Sequence, residues 1–471
     1  MGTTRAAGTA AGGPVITTAE ARPKTLPTSA LAERAAVVLR DNDTGSLVTA
    51  SPKLYPHMWS WDAAFIAIGL AQLDIGRAVA ELDTLLAAQW SDGMIPHIVF
   101  TSATGYFPGP DRWGTDAAPQ RPRHVRTSGI CQPPVHAIAI RRIVDVARRT
   151  SRVDAALAEG FAARVWQRLY RWHRWIIRYR IVDASGLVAI VHGWESGMDN
   201  SPRWDEPYSR VVPGTNLPPY ARLDVLRVDD PAERPSDDDY DRYLWLIEQL
   251  RGVNYEPEAV VNTSDFLVAD TFATALFALA SDVLAELGEE LACDRDQVAE
   301  LRQWAARARR AVALSCRPDT GMAADRDIRY GNWIATPTLA GFSPLLCGGA
   351  GDRAEAALLS TLDGPDWSGH PDLFAAVVPS VSPCARRFDQ RRYWRGPQWP
   401  VLAWLFSWAF ARRGWTAQAA RLREQGLRLT ADGSFGEYYE PFTGSPLGST
   451  NQSWTAAVVL DWLASEWPSA L

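Results

Sequence analysis

Apolar residues recur at helical spacing along most of the chain. Positions three and four residues apart lie on one face of a helix, so this spacing predicts amphipathic helices. The windows that show it are rich in Ala, Leu and Arg, which favour helices, and β-branched alternating runs are few and short. The clearest windows are 61–89, 161–180, 264–287, 294–312, 397–413 and 451–465. They predict an all-α protein with about a dozen helices.

Four turns that combine an Asp with a Gly follow predicted helices. Their glycines are Gly93, Gly186, Gly321 and Gly433. A Gly in this place typically adopts a positive φ after a helix C-terminus. The intervals of 93, 135 and 112 residues leave room for several helices between the turns. We therefore expect helical hairpins whose long loops share one rim, as in a closed ring of paired helices, an α/α barrel.

No long linker rich in Pro, Gly or Ser separates these windows. This favours a single domain over residues 31–471, preceded by a disordered tail at residues 1–30 that is rich in Gly, Thr and Ala. The tail lacks the apolar stretch of a secretory signal. The densest apolar run, at 401–410, is about half as long as a bilayer span. We therefore expect a soluble protein with no membrane partner.

Charge and cysteine usage narrow the functional classes. The formal net charge of −6 and the pI near 5.7 give no basic field for nucleic acid or anionic lipid, so a small or uncharged partner fits better. The five cysteines are scattered singly without a CxxC pair, which argues against a disulfide framework and a zinc site. These features predict a protein of the reducing cytoplasm. The sequence shows no metal cluster, since DNSPRWD lacks the alternating acids and central Gly of a calcium loop, and we expect no cofactor.

Polar loops rich in aromatic residues carry the candidate chemistry. Residues 192–205 read HGWESGMDNSPRWD, with three acids, two tryptophans and no apolar period of a helix or strand. Comparable mixtures occur at 55–62, 393–400, 435–441 and 451–454. Trp stacks on the apolar face of a sugar ring, while carboxylates, amides and Arg bind its hydroxyls. The loops therefore predict a carbohydrate pocket.

Asp199 and Glu437 are the strongest candidates for catalysis. Both follow a Gly in a polar loop. Glycoside hydrolysis needs one protonated acid at the leaving oxygen and a second carboxylate that attacks or activates water. The alternative is that Asp199 caps the following turn and that Glu437 is a surface acid.

The motifs MWSWDAAF, GWESGMDNSPRWD, YWRGPQWP, FGEYYEP and NQSW, in this order, resemble family 63 of the glycoside hydrolases. The similarity extends from Leu31 to the C-terminus and is strongest to the bacterial branch that cleaves the compatible solutes mannosylglycerate and glucosylglycerate. It implies an (α/α)6 barrel and an inverting mechanism, with Asp199 as general acid and Glu437 as general base. An inverting pair should stand roughly 6.5–9.5 Å apart to admit a water molecule.

The resemblance also implies a set of sugar-binding side chains. They are Tyr55, Trp59, Trp61, Asp62, His97, Gln132, Trp194, Tyr393, Trp394, Gln398 and Trp399. Structural alternatives exist for many of them. The tryptophans could start buried helices or pack against the barrel wall, Asp62 could cap a helix, and His97 could be a buried structural histidine.

The segment 203–243 is a candidate lid. It is charged and Pro-rich, with no helical period before residue 237, and a loop of this length in a compact domain is usually functional or disordered. A substrate carboxylate needs Arg, Lys or a cluster of donors. The resemblance assigns glycerate binding to Tyr106, Arg234, Tyr240 and Gln452. The alternative is that the acidic run 237–239 caps a surface helix, with Arg234 as its exposed neighbour.

Three rival functions remain open. A sugar epimerase on a helical barrel would use histidines as acid and base, and His97 and His192 form no obvious pair. A non-catalytic sugar-binding protein would keep the aromatic residues without needing two acids. A family 63 enzyme for larger or neutral α-glucosides would differ only at the glycerate end. We favour glucosylglycerate over mannosylglycerate as substrate, and we expect a homo-oligomer because the resembling enzymes form oligomers.

Overall fold

The structure is a computed structural model that describes residues 25–228 and 230–464. Within these ranges it contains sixteen α-helices and eight short strands. The helices are α1 Thr28–Asp41, α2 Ser60–Ala71, α3 Ile75–Ala87, α4 Pro110–Trp113, α5 His136–Thr150, α6 Arg152–Arg180, α7 Asp205–Ser209, α8 Asp237–Gly252, α9 Pro257–Thr263, α10 Thr271–Glu290, α11 Arg295–Leu314, α12 Ser343–Cys347, α13 Asp352–Leu362, α14 Pro400–Arg412, α15 Thr416–Leu429 and α16 Ser453–Leu463. The strands are β1 Met58–Trp59, β2 Ile98–Val99, β3 Val188–Ile190, β4 Val268–Asp270, β5 Asp325–Asp327, β6 Trp333–Ile334, β7 Tyr438–Tyr439 and β8 Pro446–Leu447.

Twelve of the described helices form two concentric rings. The inner ring consists of α2, α5, α10, α12, α14 and α16 in sequence, and α16 closes it by packing against α2. The outer ring consists of α1, α3, α6, α11, α13 and α15, which alternate with the inner helices along the chain. The predicted (α/α)6 barrel is confirmed.

Burial explains why the two rings differ in sequence. Every residue of α2 is buried, as are all residues of α14 except its last. Helices of the inner ring have neighbours on all sides and must be apolar all round, whereas an outer helix buries one stripe. The inner helix α10 reaches the length and hydropathy of a membrane span. In its most apolar stretch of 18 residues, 89% of the residues are buried inside the protein.

Several predicted boundaries need correction. The window 61–89 is two helices, α2 and α3, because Asp74 accepts a hydrogen bond from the backbone N–H of Arg77 at 3.0 Å and starts a new helix. The window 264–287 begins in the loop after α9 and includes strand β4, and α10 starts only at Thr271. Helix α1 begins at Thr28, so the predicted tail is wrong at 28–30. Residues 1–24 of that tail lie outside the described residues.

Chain direction gathers the long loops at one rim. Five inner helices, α2, α5, α10, α12 and α14, are each followed after a short connection by the outer helix that packs on them. The chain reverses at these connections, so the N-termini of the inner helices lie beside the C-termini of the outer ones. The four turn glycines follow the ends of outer helices by four to seven residues, and all have the predicted positive φ, between +70° and +116°. At Gly93 a Cβ atom would also lie 2.6 Å from the carbonyl oxygen of Arg171, so no other residue fits.

Three small antiparallel sheets complete this rim. Strand β1 pairs with β2, β7 pairs with β8, and β3 to β6 form a four-stranded sheet in sequence order. Strand β4 leads directly into α10, and its residue Asp270 pairs with Val188 of β3. The sheet thus joins the loop after β3, which carries Asp199, to the N-terminus of an inner helix.

Candidate active site

A cavity at this rim contains most of the predicted site residues. Its open space, which includes solvent at the mouth, is about 670 Å³. The lining residues are Tyr55, Trp59, Trp61, Asp62, His97, Tyr106, Gln132, Trp194, Gly197, Asp199, Arg234, Pro235, Tyr240, Tyr393, Glu437 and Trp454. The two candidate catalytic carboxyl groups, distant in sequence, therefore face one cavity.

A buried ion pair fixes the loop that carries Asp199. The guanidinium group of Arg180 donates to both carboxylate oxygens of Glu195, at 2.8 Å each. Glu195 also accepts hydrogen bonds from the backbone N–H groups of Val191 at 2.8 Å and Cys131 at 3.2 Å. Because Glu195 ties three chain segments together, the irregular loop has a defined shape without a helical or strand period.

The surroundings of Asp199 favour its protonated form. Burial raises the pKa of Asp199 to about 7. The charge of Arg234 and the backbone N–H of Asp199 itself lower this pKa, and the charge of Glu437 raises it. A carboxyl group that keeps its proton near neutral pH can act as a general acid.

Glu437 has a different environment. The hydroxyl groups of Tyr55 and Tyr393 donate to its Oε1 at 2.8 and 3.1 Å, and the backbone N–H of Ser449 donates to Oε2 at 3.4 Å. Burial raises the pKa of Glu437, while Arg234 and these hydrogen bonds lower it. Hydrogen bonds to a carboxylate stabilise the ionised form. Glu437 is thus the better candidate for a general base.

Asp62 adds a third carboxyl group to the cavity. It is the third residue of α2 and does not cap that helix, whose N-cap is Trp59. Burial raises the pKa of Asp62 well above its usual value, and the charges of Glu437 and Asp199 raise it further. Like charges in one buried site oppose each other's ionisation, so Asp62 is suited to donate a hydrogen bond to a hydroxyl group.

Aromatic rings and two polar side chains form much of the remaining wall. Tyr106 packs edge-on against Trp59, with ring centroids 5.2 Å apart, and His97 stacks on Trp194 at 6.1 Å. Burial lowers the pKa of His97 to about 3, so its ring is neutral. Gln132 accepts a hydrogen bond from the backbone of α2 at 3.1 Å, which fixes the carboxamide at the cavity edge.

Four predicted binding residues lie behind this wall and do not line the cavity. Trp394 and Trp399 stack face to face at 3.5 Å, and each is 1% exposed. Gln398 donates to two backbone carbonyls at 2.9 and 2.6 Å. Gln452, directly before α16, accepts from the hydroxyl of Ser449. Their described contacts are with protein groups, and their role in ligand binding stays a prediction.

The predicted lid segment 203–243, apart from residue 229, lies within the described residues and forms part of the cavity wall. It contains the short helix α7, a turn at 231–233 and the start of α8, and it contributes Arg234, Pro235 and Tyr240 to the lining. The acidic run does cap α8, as the structural alternative expected, through a capping box that includes Ser236. The other part of that alternative is wrong, because Arg234 is buried, with 8% exposure.

Ion pairs clasp this lid to an arginine-rich segment, residues 386–395. The same segment carries Tyr393, a hydrogen-bond donor to Glu437. The pairs are Arg387–Asp205 at 3.0 Å, Arg395–Asp205 at 2.7 Å, Arg391–Glu233 at 2.6 Å and Arg392–Asp239 at 3.2 Å. The lid and the surroundings of the candidate base are therefore held by one stretch of chain.

Three lining residues escaped the sequence prediction. Gly197 has φ +71° and faces Trp61, whose ring a Cβ atom would approach to 2.6 Å. Pro235 follows Arg234 directly, and Trp454 packs edge-on against Trp61 at 5.6 Å. Gly197 and Trp454 belong to motifs that carry the family resemblance, so position within a motif was the available signal.

Several known proteins are similar to this chain in sequence and in fold. The family model described as the mannosylglycerate hydrolase MGH1-like glycoside hydrolase domain matches residues 55–455. A glucosylglycerate hydrolase from Mycolicibacterium hassiacum is 56% identical over 443 residues, which cover 94% of this chain and 99% of that protein. A mannosylglycerate hydrolase from Thermus thermophilus is 39% identical over 431 residues, which cover 91% and 99%.

A solved structure is similar to this chain over nearly its whole length. A GH63 mannosylglycerate hydrolase from Thermus thermophilus, in complex with Tris and D-glycerate, matches with a TM-score of 0.83 and 39% identity, over 92% of this chain and 99% of that chain. Fold, motifs and matched length agree, and this chain belongs to the family of MGH1-like glycoside hydrolases.

Proposed function

We propose that the protein is an inverting glycoside hydrolase that cleaves the α-glycosidic bond of glucosylglycerate and releases glucose and glycerate. The observation that carries the proposal is one cavity that holds the buried Asp199, whose pKa is raised to about 7, the hydrogen-bonded Glu437 and the buried Arg234. The higher identity to the glucosylglycerate hydrolase, 56% against 39% for the mannosylglycerate hydrolase, favours the glucosyl substrate.

The two carboxyl groups divide the reaction between them. Asp199 gives its proton to the glycosidic oxygen while the bond from that oxygen to C1 of the sugar breaks. Glu437 takes a proton from a water molecule, whose oxygen attacks C1 from the opposite face. Glycerate leaves with the proton of Asp199, and the sugar keeps the hydroxyl group with inverted configuration. Exchange with solvent restores the proton on Asp199 and removes it from Glu437.

The glycerate end of the substrate lies under the lid in this proposal. Arg234 supplies the positive charge for the carboxylate, with Tyr106 and Tyr240 beside it. D-glycerate bound to the related Thermus enzyme supports a site for this group. We further propose that the enzyme turns over a compatible solute in the cytoplasm, where its five free cysteines stay reduced. The homo-oligomeric state remains a prediction.

The epimerase alternative lacks support. Both ring nitrogens of His192 are within hydrogen-bond distance of backbone groups, the carbonyl oxygen of Tyr243 at 3.2 Å and the N–H of Trp194 at 3.1 Å. Burial lowers the pKa of His192 and of His97 to about 3. Neither histidine carries a proton to donate as a cation at neutral pH.

The first prediction concerns the catalytic pair. Asp199→Asn and Glu437→Gln should each lower kcat by about 10²–10⁴-fold, because each removes one proton transfer from the transition state. Asp238→Asn, the same chemical change at an exposed acid of α8, serves as the control and should keep near-wild-type turnover. Release of glucose from glucosylglycerate is the measurement. Near-wild-type turnover in either active-site variant would remove that residue from the mechanism.

The second prediction concerns stereochemistry. Inversion at an α-glycoside releases the β-anomer first, because water attacks C1 from the face opposite to the leaving oxygen. Proton NMR during the first minutes of a reaction with wild-type protein should show β-glucose before mutarotation adds the α-anomer. Initial α-glucose would mean retention and would reject Glu437 as a base.

The third prediction concerns pH. Asp199 must be protonated, so kcat/KM should fall as pH rises through the pKa of about 7; Glu437 must be ionised, so kcat/KM should also fall on the acidic side. A substrate carboxylate at Arg234 offsets the charge that lowers the pKa of Asp199. The alkaline limb of kcat should therefore lie at higher pH than that of kcat/KM, since kcat reports the complex.

Glucosylglycerol, the uncharged analogue with CH2OH in place of the carboxylate, is the control for this pH profile. With that substrate the two alkaline limbs should coincide. An alkaline limb that survives in the residual activity of Asp199→Asn would show that another group sets it.

The fourth prediction concerns Arg234. A hydrogen bond to a charged group contributes about 1.5–3 kcal/mol, so Arg234→Ala should lower kcat/KM for glucosylglycerate roughly 10–150-fold. The loss on glucosylglycerol should be much smaller, because that substrate has no carboxylate to bind. Equal losses on both substrates would mean that Arg234 supports the fold or the lid in general. No loss on either would place it outside the site.

A further inference from the structure

Asp224 lies at the centre of a buried ion-pair network in the lid. Arg222 donates from Nε to Oδ1 at 2.7 Å and from Nη2 to Oδ2 at 2.6 Å. Arg234 donates from Nε to the same Oδ2 at 3.4 Å. Burial alone would raise the pKa of Asp224, but the two guanidinium groups outweigh it and the pKa is lowered. Asp224 is therefore an anion held between two arginines.

Arg222 extends this network to the rest of the lid's cavity face. It donates to the backbone carbonyl of Pro235 at 3.1 Å, and its guanidinium group lies 3.9 Å from the ring centroid of Tyr240. Both contacts are to residues that line the cavity. Together, Asp224 and Arg222 contact each of the lid residues that reach the cavity: Arg234, Pro235 and Tyr240.

The contacts of Arg234 fix the direction in which its third guanidinium nitrogen, Nη2, points. Nε is taken by Asp224, and Nη1 donates to the hydroxyl of Tyr55 at 3.2 Å. The ring of Tyr393 lies 4.5 Å from the guanidinium carbon and sets the plane. Within the described residues Nη2 makes no hydrogen bond. A guanidinium group is a rigid planar fork, so fixing Nε and Nη1 also fixes where Nη2 points.

We propose that Asp224 is a positioning residue that makes the enzyme selective for an anionic aglycone. It holds the guanidinium group of Arg234 so that Nη2 meets the carboxylate of the substrate. The inference rests on the proposed function, since it deepens the role of Arg234 in the same site. Without Asp224, Arg234 is free to turn toward Glu437, whose charge already interacts with it, and the substrate carboxylate loses its partner.

The test compares variants on the matched substrates glucosylglycerate and glucosylglycerol. Asp224→Asn keeps the shape of the side chain and removes its charge. It should raise KM for glucosylglycerate roughly 5–50-fold, less than the removal of Arg234, because the guanidinium group remains but is no longer aimed. The change in kcat should be small by comparison, and the loss on glucosylglycerol much smaller. Asp224→Glu, which retains the charge, should recover part of the KM.

Asp237 provides the matched control. It is a second acid bonded to Arg222, at 3.1 Å, but its side chain is 86% exposed and makes no described contact with Arg234. Asp237→Asn should leave both substrates near wild type. In an Arg234→Ala background, Asp224→Asn should add no further loss on glucosylglycerate, because the group that it positions is gone. An additive loss would contradict the proposal.

The remaining outcomes also test the positioning role of Asp224. Unchanged KM in Asp224→Asn, or equal losses on both substrates, would overturn the positioning role and leave Asp224 as a general support of the lid. If the wild-type protein hydrolyses neither substrate, the proposed function fails on its own terms. Calorimetric titration with D-glycerate then tests Asp224 separately: weaker binding to Asp224→Asn than to Asp237→Asn supports positioning. Equal or absent binding rejects it.

Discussion

A single buried carboxylate, that of Asp461, ties together four of the six inner helices. Asp461 of α16 accepts hydrogen bonds from Arg142 of α5 at 2.8 Å, from the indole N–H of Trp404 of α14 at 2.9 Å, and from Gln72 at the end of α2 at 2.8 Å. A charge buried in a barrel is tolerated only when it is paired and hydrogen-bonded. The geometry of these bonds therefore restricts how the inner helices can pack.

A column of aromatic rings connects the buried Asp461 to the cavity. The ring of Trp404 packs edge-on against Phe65 at 5.9 Å, and Phe65 packs edge-on against Trp61 at 6.0 Å. Trp61 in turn lies against Gly197, two residues before Asp199. Close-packed interiors transmit displacements because they have few voids. The position of the candidate acid thus depends on a stack of rings that begins at the Asp461 site.

The two catalytic candidates differ in hydrogen bonding more than in burial, which both share. Glu437 accepts hydrogen bonds from two tyrosines and from the backbone of Ser449, whereas a backbone hydrogen bond at Asp199 itself lowers the pKa of that residue. The sequence indicated both acids through their loops and the family motifs, but it could not rank their environments. The tyrosine donors come from residues 55 and 393, and contacts that distant in sequence become visible only in the fold.

The turn glycines and the family motifs indicated the barrel. Helical periodicity predicted the helices that form it. It could not separate α2 from α3, since the break depends on one capping Asp inside a continuous apolar run. Motif position likewise could not distinguish Trp61, which faces the cavity, from Trp399, which packs behind it. Both precede or begin buried helices. Only the packing of neighbouring rings places one at the cavity and the other behind it.

The lid was hardest to predict because ion pairs take the place of apolar periodicity in it. Its clasp to the segment 386–395 and its internal network around Asp224 use arginines and acids that, in sequence, look like a solvated surface. A single exposed pair contributes only about 0.2–1 kcal/mol, but several pairs that share buried partners act together. Since Tyr393 lies within the clasping segment, a shift of the lid also disturbs the donor that holds Glu437. Recognition of the aglycone and orientation of the base are therefore mechanically joined, and the residues that join them are charged ones in irregular chain.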